Sequence, residues 1–260
     1  MIWNTNELVL FLGAVAAFLV VQAAGFRLGL RDWGKADGDA KPHVHSLQNA
    51  ALGLLALLLG FTFAMAVQRF DARKALVLEE ANAIGTAYLR SKMLPAPQAA
   101  ESAKLYRELA GARLDFFEAG IDAAKLDAAS ASTDRIGARL WSLALEVSAA
   151  DPKSVPMGLY VDALNAVIDA LEKRRVALEN HVPEAVIALL FAVAAVALGI
   201  TAYGCGLSRQ RRFRSNAVFA VTIALVLTVI LDIDRPRRGV VQVSQASLER
   251  LKAQLDAEVR

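Results

Sequence analysis

The chain has 260 residues, of which 56% are hydrophobic and 21% are charged, and its mean hydropathy is +0.40. So apolar a composition is unusual for a soluble domain and indicates a membrane protein, and it excludes an intrinsically disordered chain. A single cysteine, Cys205, excludes a disulfide-stapled scaffold and a zinc site built from cysteines. The formal net charge is only +3, so any basic patch must be local.

Four long runs without charged residues predict four transmembrane helices. A bilayer core of about 30 Å requires roughly 20 helical residues. The runs cover residues 8–26, 46–68, 185–208 and 215–231. The first two form a predicted transmembrane hairpin within residues 1–68, and the last two form a second hairpin within residues 182–233.

The first span has two interpretations, an uncleaved anchor or a secretory signal peptide. Val21-Gln22-Ala23 is a tolerable cleavage site, but the residues before the span include Glu7 and no Lys or Arg, unlike a signal peptide. We therefore favour the anchor. Inside such a span, Gln22 is expected to form an interhelical hydrogen bond.

Residues 69–181 have a different composition, with 15 Lys and Arg against 16 Asp and Glu. Their apolar residues follow the 3.6-residue period of a helix rather than the alternation of a strand. The predicted helices are Arg69–Leu94, Gln98–Ala119, Ser132–Ala149 and Val155–Asn180. Four such helices predict a soluble antiparallel bundle inserted between the second and third spans.

The second span is expected to continue into this bundle as one helix. No proline interrupts residues 47–93, and an unbroken helix of that length would extend roughly 70 Å. Residues 234–260 follow the last span, and residues 244–259 form a predicted amphipathic helix with Leu248, Leu251 and Leu255 on one side. The predicted fold class is an all-α membrane protein with four transmembrane helices and an inserted helical bundle.

Basic residues give conflicting indications of topology. The two short loops, after spans one and three, are rich in Arg and Lys, which predicts that they are cytoplasmic and that the bundle and both termini lie outside. Basic residues also flank the other ends of the spans, including Arg69, Lys173 and Arg235. The orientation therefore stays open at this point.

No catalytic or metal-binding motif stands out in the sequence. His43 and His45 offer two imidazoles, whereas a structural zinc site needs about four ligands. Glu79 and Glu80 are adjacent on a predicted helix, so their side chains point about 100° apart and do not form a paired-carboxylate site; an exposed or ion-paired face is favoured. We expect no enzymatic activity, no cofactor, no metal and no nucleic-acid partner.

The long second-span helix resembles the bacterial bestrophin-like domain family in the stretch GLLALLLGFTFAMAVQRFDARKALVLEEANAIGTAYLR, Gly53–Arg90. A second block after span four matches the same family at Asp232, Asp234, Arg235, Pro236 and Gly239. The resemblance covers nearly the whole chain, including the order of two spans, helical insert and two spans. It implies a multi-pass protein of the bacterial inner membrane that forms homo-oligomers, pentamers by analogy with bestrophins.

The resemblance also implies a function, because bestrophins are pentameric anion channels whose second span lines the pore. By that analogy Leu57, Phe61 and Met65 form a candidate pore constriction that gates by dewetting. Arg69 and Arg73 form a candidate pore mouth that concentrates inorganic anions. The alternative is that the three apolar side chains face lipid or neighbouring helices.

Further along the same helix, a polar face either continues the ion path or ties helices of the bundle together. It consists of Glu79, Asn82, Thr86 and Arg90.

Two features depart from the bestrophin pattern. Calcium-gated bestrophins carry an acidic run after the fourth span, but here Asp232 and Asp234 are followed by three arginines, and calcium requires six to eight oxygen ligands. We therefore expect no calcium control. Bestrophins also place the insert in the cytoplasm, opposite to the short-loop prediction. The alternative function is a membrane-anchored sensor or scaffold whose bundle binds a small molecule or a partner protein.

Overall fold

The computed structural model describes residues 6–34, 40–210, 212–235, 237 and 239–258. These residues contain α-helices and no strands, which confirms the all-α prediction for the described part of the chain. The helices are α1 (Glu7–Asp32), α2 (Ala40–Ser91), α3 (Ala96–Glu118), α4 (Ala123–Ala150), α5 (Val155–Glu179), α6 (Glu184–Leu207), α7 (Phe213–Asp234) and α8 (Ala246–Ala257).

Four helical stretches are long and apolar enough to cross a membrane, as predicted. They are Glu7–Asp32, Lys41–Ser91, Val155–Leu207 and Phe213–Asp234. The third stretch includes both α5 and α6, and the uncharged run predicted as span three lies in α6. Helix α2 is one helix of 52 residues, Ala40–Ser91.

Helix α4 begins nine residues earlier than the sequence pattern predicted, at Ala123 rather than Ser132. The side chain of Asp122 caps this end by accepting hydrogen bonds from the amides of Ala124 and Lys125, which is the usual role of aspartate at a helix N-terminus. The first turns of α4 are rich in alanine and show no apolar stripe. Their helicity therefore depends on the cap and on the high helix propensity of alanine.

The chain divides into two compact units, the first of which comprises residues 1–68 and 181–235. It contains α1, the N-terminal part of α2, α6 and α7 around a core that includes Phe18, Leu190 and Leu198. Helices α1 and α6 approach each other through glycines: a Cβ atom on Gly25 would lie 2.4 Å from the carbonyl oxygen of Gly199. Such backbone contact between small residues is a common means of association between membrane helices.

A polar contact adds to the packing of the first unit. The side-chain amide of Gln22 in α1 donates a hydrogen bond of 2.9 Å to the carbonyl oxygen of Asn216 in α7. Gln22 is buried, so this bond satisfies a polar group that would otherwise be costly in an apolar environment. The interhelical hydrogen bond expected of Gln22 is confirmed.

The second unit comprises residues 69–180 and 236–260. It contains the C-terminal part of α2 together with α3, α4, α5 and α8, and these helices share one hydrophobic core. The predicted amphipathic C-terminal helix is present as α8, and its three leucines are buried in that core: Leu248, Leu251 and Leu255.

Candidate functional site

The candidate constriction residues lie on an uncovered face of α2. Within the first unit, Leu57 is 55%, Phe61 63% and Met65 39% exposed. The opposite face of the helix carries Leu55 and Ala66, which are both buried, and Leu55 belongs to the core of the unit. The structure thus shows an apolar face that no other described helix of this unit covers.

Two glycines leave further space on this part of α2. A Cβ atom added to Gly53 or Gly60 would have nothing within 4 Å. Neither glycine is therefore used for close helix packing inside one chain, in contrast to Gly25 and Gly29 of α1. Lipid, a second copy of the chain and a pore lumen are the environments that fit an open apolar helix face.

The two arginines of the candidate pore mouth differ in their environment. Arg73 is only 4% exposed, and its guanidinium donates hydrogen bonds to the carbonyl oxygens of Ala177 at 3.0 Å and Asn180 at 2.8 Å. It therefore caps the C-terminal end of α5, where carbonyl groups lack helical partners and favour a positive charge. Arg69 is partly buried.

The polar face of α2 makes two contacts with α5 inside the second unit. The carboxylate of Glu79 accepts a hydrogen bond of 2.7 Å from Lys173. Arg90 donates to the carbonyl oxygen of Leu159 at 2.7 Å and to Asp162 at 3.1 Å. These two residues of the face therefore tie helices together.

Between those contacts, α2 and α5 leave an open groove. Asn82 and Thr86 are exposed and line it, and its volume is about 500 Å³. Their amide and hydroxyl groups are neutral hydrogen-bonding groups that suit a hydrated path or a small polar ligand.

The block after span four is buried at the end of α7. One carboxylate oxygen of Asp234 accepts a hydrogen bond of 2.7 Å from the backbone amide of Val182, and the ring of His181 lies 3.6 Å from the same oxygen. The guanidinium of Arg235 lies 3.4 Å from the carboxylate of Glu7. Asp232 is also buried. These contacts connect the ends of α7 and α1 with the segment before α6.

Two further residues complete the comparison with the predicted block. Gly239 has a φ of +100°, a conformation that favours glycine over residues with a side chain. Pro236 lies outside the described residues. His181 and Glu7 also contact the block. The sequence analysis assigned them no role, because these contacts join residues more than 50 positions apart in the chain.

A buried charge cluster in the second unit was also missed by the sequence analysis. Glu80 is completely buried, and its two carboxylate oxygens accept hydrogen bonds from Arg113 of α3 and Arg174 of α5. The spacing contained a signal, because Glu80 shares the buried stripe of Val77 and Ile84 on α2. Of the two alternatives left open for Glu80, the ion pair is confirmed and the exposed face is wrong.

A sequence profile of the bestrophin-like domain matches residues 12–248, most of the chain. No curated protein sequence matches it. Four apolar stretches and this match identify a multi-pass membrane protein.

Solved structures of bacterial bestrophin homologues have the same fold. A homologue from Klebsiella pneumoniae, solved by Zn-SAD phasing, is 14% identical with a TM-score of 0.64 over 96% of this chain and 97% of the other. A point variant of a Klebsiella pneumoniae homologue is 12% identical with a TM-score of 0.66 over 99% and 100% of the two chains. At these identities the similarity establishes the fold.

Proposed function

Because the chain belongs to the bestrophin-like domain family, we propose that it forms a homo-oligomeric membrane channel for small inorganic anions, with α2 lining the pore. The observation that carries this proposal is the uncovered apolar face of α2, with Leu57, Phe61 and Met65 exposed in the single chain. A ring of such side chains from several copies would form a narrow apolar barrier, which controls ion passage by excluding water.

The proposal requires several copies of the chain around one axis, since one α2 helix does not enclose a lumen. Family analogy gives five copies, arranged with cyclic symmetry in the bacterial inner membrane. Further apolar side chains on the outside of the first unit, including Leu12 and Val20 of α1, are exposed and suit lipid or a neighbouring copy.

Arg69 remains in the proposal as a basic residue of the pore mouth. Arg73 does not, since its guanidinium is buried against the end of α5. Asn82 and Thr86 would supply neutral polar groups further along the path.

The groove between α2 and α5 supports a second candidate function, a membrane-anchored sensor or scaffold. A volume of about 500 Å³ would admit a small polar molecule, which Asn82, Thr86 and the ion pair of Arg90 with Asp162 would contact. In that case the chain would bind a ligand without conducting ions.

Anion flux from proteoliposomes that contain the purified protein, compared with protein-free vesicles, separates the two functions. A channel predicts chloride flux that rises with protein content and increases in Phe61→Ala, because a smaller side chain weakens the apolar barrier. Leu12→Ala is a control, since Leu12 is an exposed apolar residue of α1. Absence of flux from folded protein at several voltages and pH values would contradict the channel and favour the sensor.

A further inference from the structure

The buried charges of the second unit are unbalanced. Arg113 and Arg174 both bind the carboxylate of Glu80, and all three side chains are almost completely buried. Arg237 adds a third guanidinium, which lies over the ring of Phe116 at 4.3 Å from the ring centre. Arg113 lies over the same ring at 4.8 Å. The carboxylate of Glu179 also acts electrostatically on Arg237, so three positive charges face two negative charges in this cluster.

Contacts with the aromatic ring compensate these charges only in part. An aromatic ring attracts a cation through its quadrupole but carries no net negative charge to neutralise it. Within the described part of the chain, no carboxylate oxygen lies within 4.0 Å of a guanidinium nitrogen of Arg237. Burial first, and then the positive charges of Arg113 and Arg174, lower the pKa of Arg237 below its ordinary value.

A small cavity lies among these positive charges. Its volume is about 20 Å³, and its mainly apolar walls include parts of Arg73, Arg174, Arg237 and Gln245. A space of roughly 10–15 Å³ or more holds one water-sized particle. The cavity therefore admits a small anion such as a halide.

The wall of the cavity is held in place by hydrogen bonds. The side-chain oxygen of Gln245 accepts a hydrogen bond from Arg174, and its amide donates to the carbonyl oxygen of Val243 at 2.9 Å. A guanidinium has five N–H donors, and Glu80 and Gln245 each accept from one nitrogen of Arg174. Arg174, which lines the cavity, has N–H donors beyond those two bonds.

We propose that this cavity of the second unit binds one monatomic halide ion, such as chloride, between Arg174 and Arg237. The ion supplies negative charge to the cluster and links α5 to the segment that precedes α8. This site is independent of the proposed channel, since it lies within the second unit and stabilises the fold whether or not the protein conducts ions.

Thermal unfolding of the full-length protein in detergent tests the site, with sodium bromide compared against sodium gluconate at equal ionic strength. Gluconate is too large for the cavity, so only bromide binds the folded state. We expect Tm in bromide to exceed Tm in gluconate by about 5 °C or more once the bromide concentration is a hundredfold above its Kd. The same Tm in both salts would overturn the proposal.

Two variants locate the effect. Arg237→Gln removes a charge from the cavity wall and is expected to abolish the difference between bromide and gluconate. Arg175→Gln, the control, alters an exposed arginine of α5 that pairs with Glu172 and should retain the difference. An undiminished bromide effect in Arg237→Gln would place the halide elsewhere, for example in a pore, and would overturn the assignment.

Crystals of the native protein grown with bromide give a measurement that needs no variant. The proposal predicts an anomalous bromine peak in the cavity between Arg174 and Arg237. A cavity that contains only water, with no anomalous signal, would contradict the proposal even if Arg237→Gln fails to fold.

Discussion

At the scale of single residues, the neighbouring acids Glu79 and Glu80 show how strongly position on a helix decides the role of a carboxylate. Glu80 points into the second unit and binds two buried arginines, whereas Glu79 is about half exposed and pairs with Lys173. Removal of one partner of a buried ion pair strongly destabilises the folded protein, because the other charge stays buried without compensation. An exposed ion pair contributes little to the free energy of unfolding.

Glu80→Gln is therefore expected to lower the free energy of unfolding by about 3–5 kcal/mol, because two buried guanidiniums lose their counter-charge. Glu79→Gln serves as the matched control and should change it by about 0–1 kcal/mol. Urea titration of the detergent-solubilised protein measures both variants. Equal effects of the two substitutions would show that burial of Glu80 does not govern its contribution.

At the scale of helices, the contact between α1 and α6 depends on residues without side chains. A Cβ atom on Gly29 would lie 2.2 Å from the carbonyl oxygen of Tyr203, and one on Gly206 would lie 2.3 Å from that of Phe26. Backbone atoms cannot rotate away as a flexible side chain can. The two helices would therefore have to separate to admit a methyl group.

We expect Gly29→Ala to destabilise the protein by about 1–3 kcal/mol through this overpacking. Gly13→Ala in the same helix should be neutral or stabilising by up to about 1 kcal/mol, since a Cβ atom there meets nothing within 4 Å and alanine favours a helix. Thermal unfolding in detergent compares the two. Stabilisation by Gly29→Ala would show that α1 and α6 are not in backbone contact.

The sequence predicted the helices better than the contacts between them. Long uncharged runs and the 3.6-residue period depend on nearby residues, and they located the four spans and α8. The early start of α4 was missed because its first turns lack an apolar stripe. The burial of Arg73 and the cluster of Glu80, Arg113 and Arg174 depend on residues that are 33 to 107 positions apart, and local periodicity contains no information on such pairs.

At the scale of the whole molecule, the apolar face of α2 requires an environment that one chain does not supply. In the proposed channel, this face lines a lumen that several copies of the chain enclose. We expect native mass spectrometry of the detergent-solubilised protein to give five times the chain mass of 27.9 kDa. A particle of one or two copies under mild conditions would contradict a pore lined by α2 and favour the sensor.

The most direct test of the central claim is chemical modification of α2 during anion flux. Cys205 is the only cysteine of the chain, so a Cys205→Ala background allows Leu57→Cys to be compared with Leu12→Cys. The two leucines are equally exposed, at 55%, but Leu12 lies on α1. Both substitutions replace the same residue type at sites of equal exposure.

Chloride flux is then measured before and after treatment with a charged methanethiosulfonate reagent, and mass spectrometry records the labelling. A thiol in a water-filled pore ionises and reacts, whereas a thiol in lipid does not. We predict that the reagent labels Leu57→Cys and reduces its flux by more than half, while Leu12→Cys keeps its flux. Undiminished flux through labelled Leu57→Cys, or equal losses in both variants, would contradict a pore lined by α2.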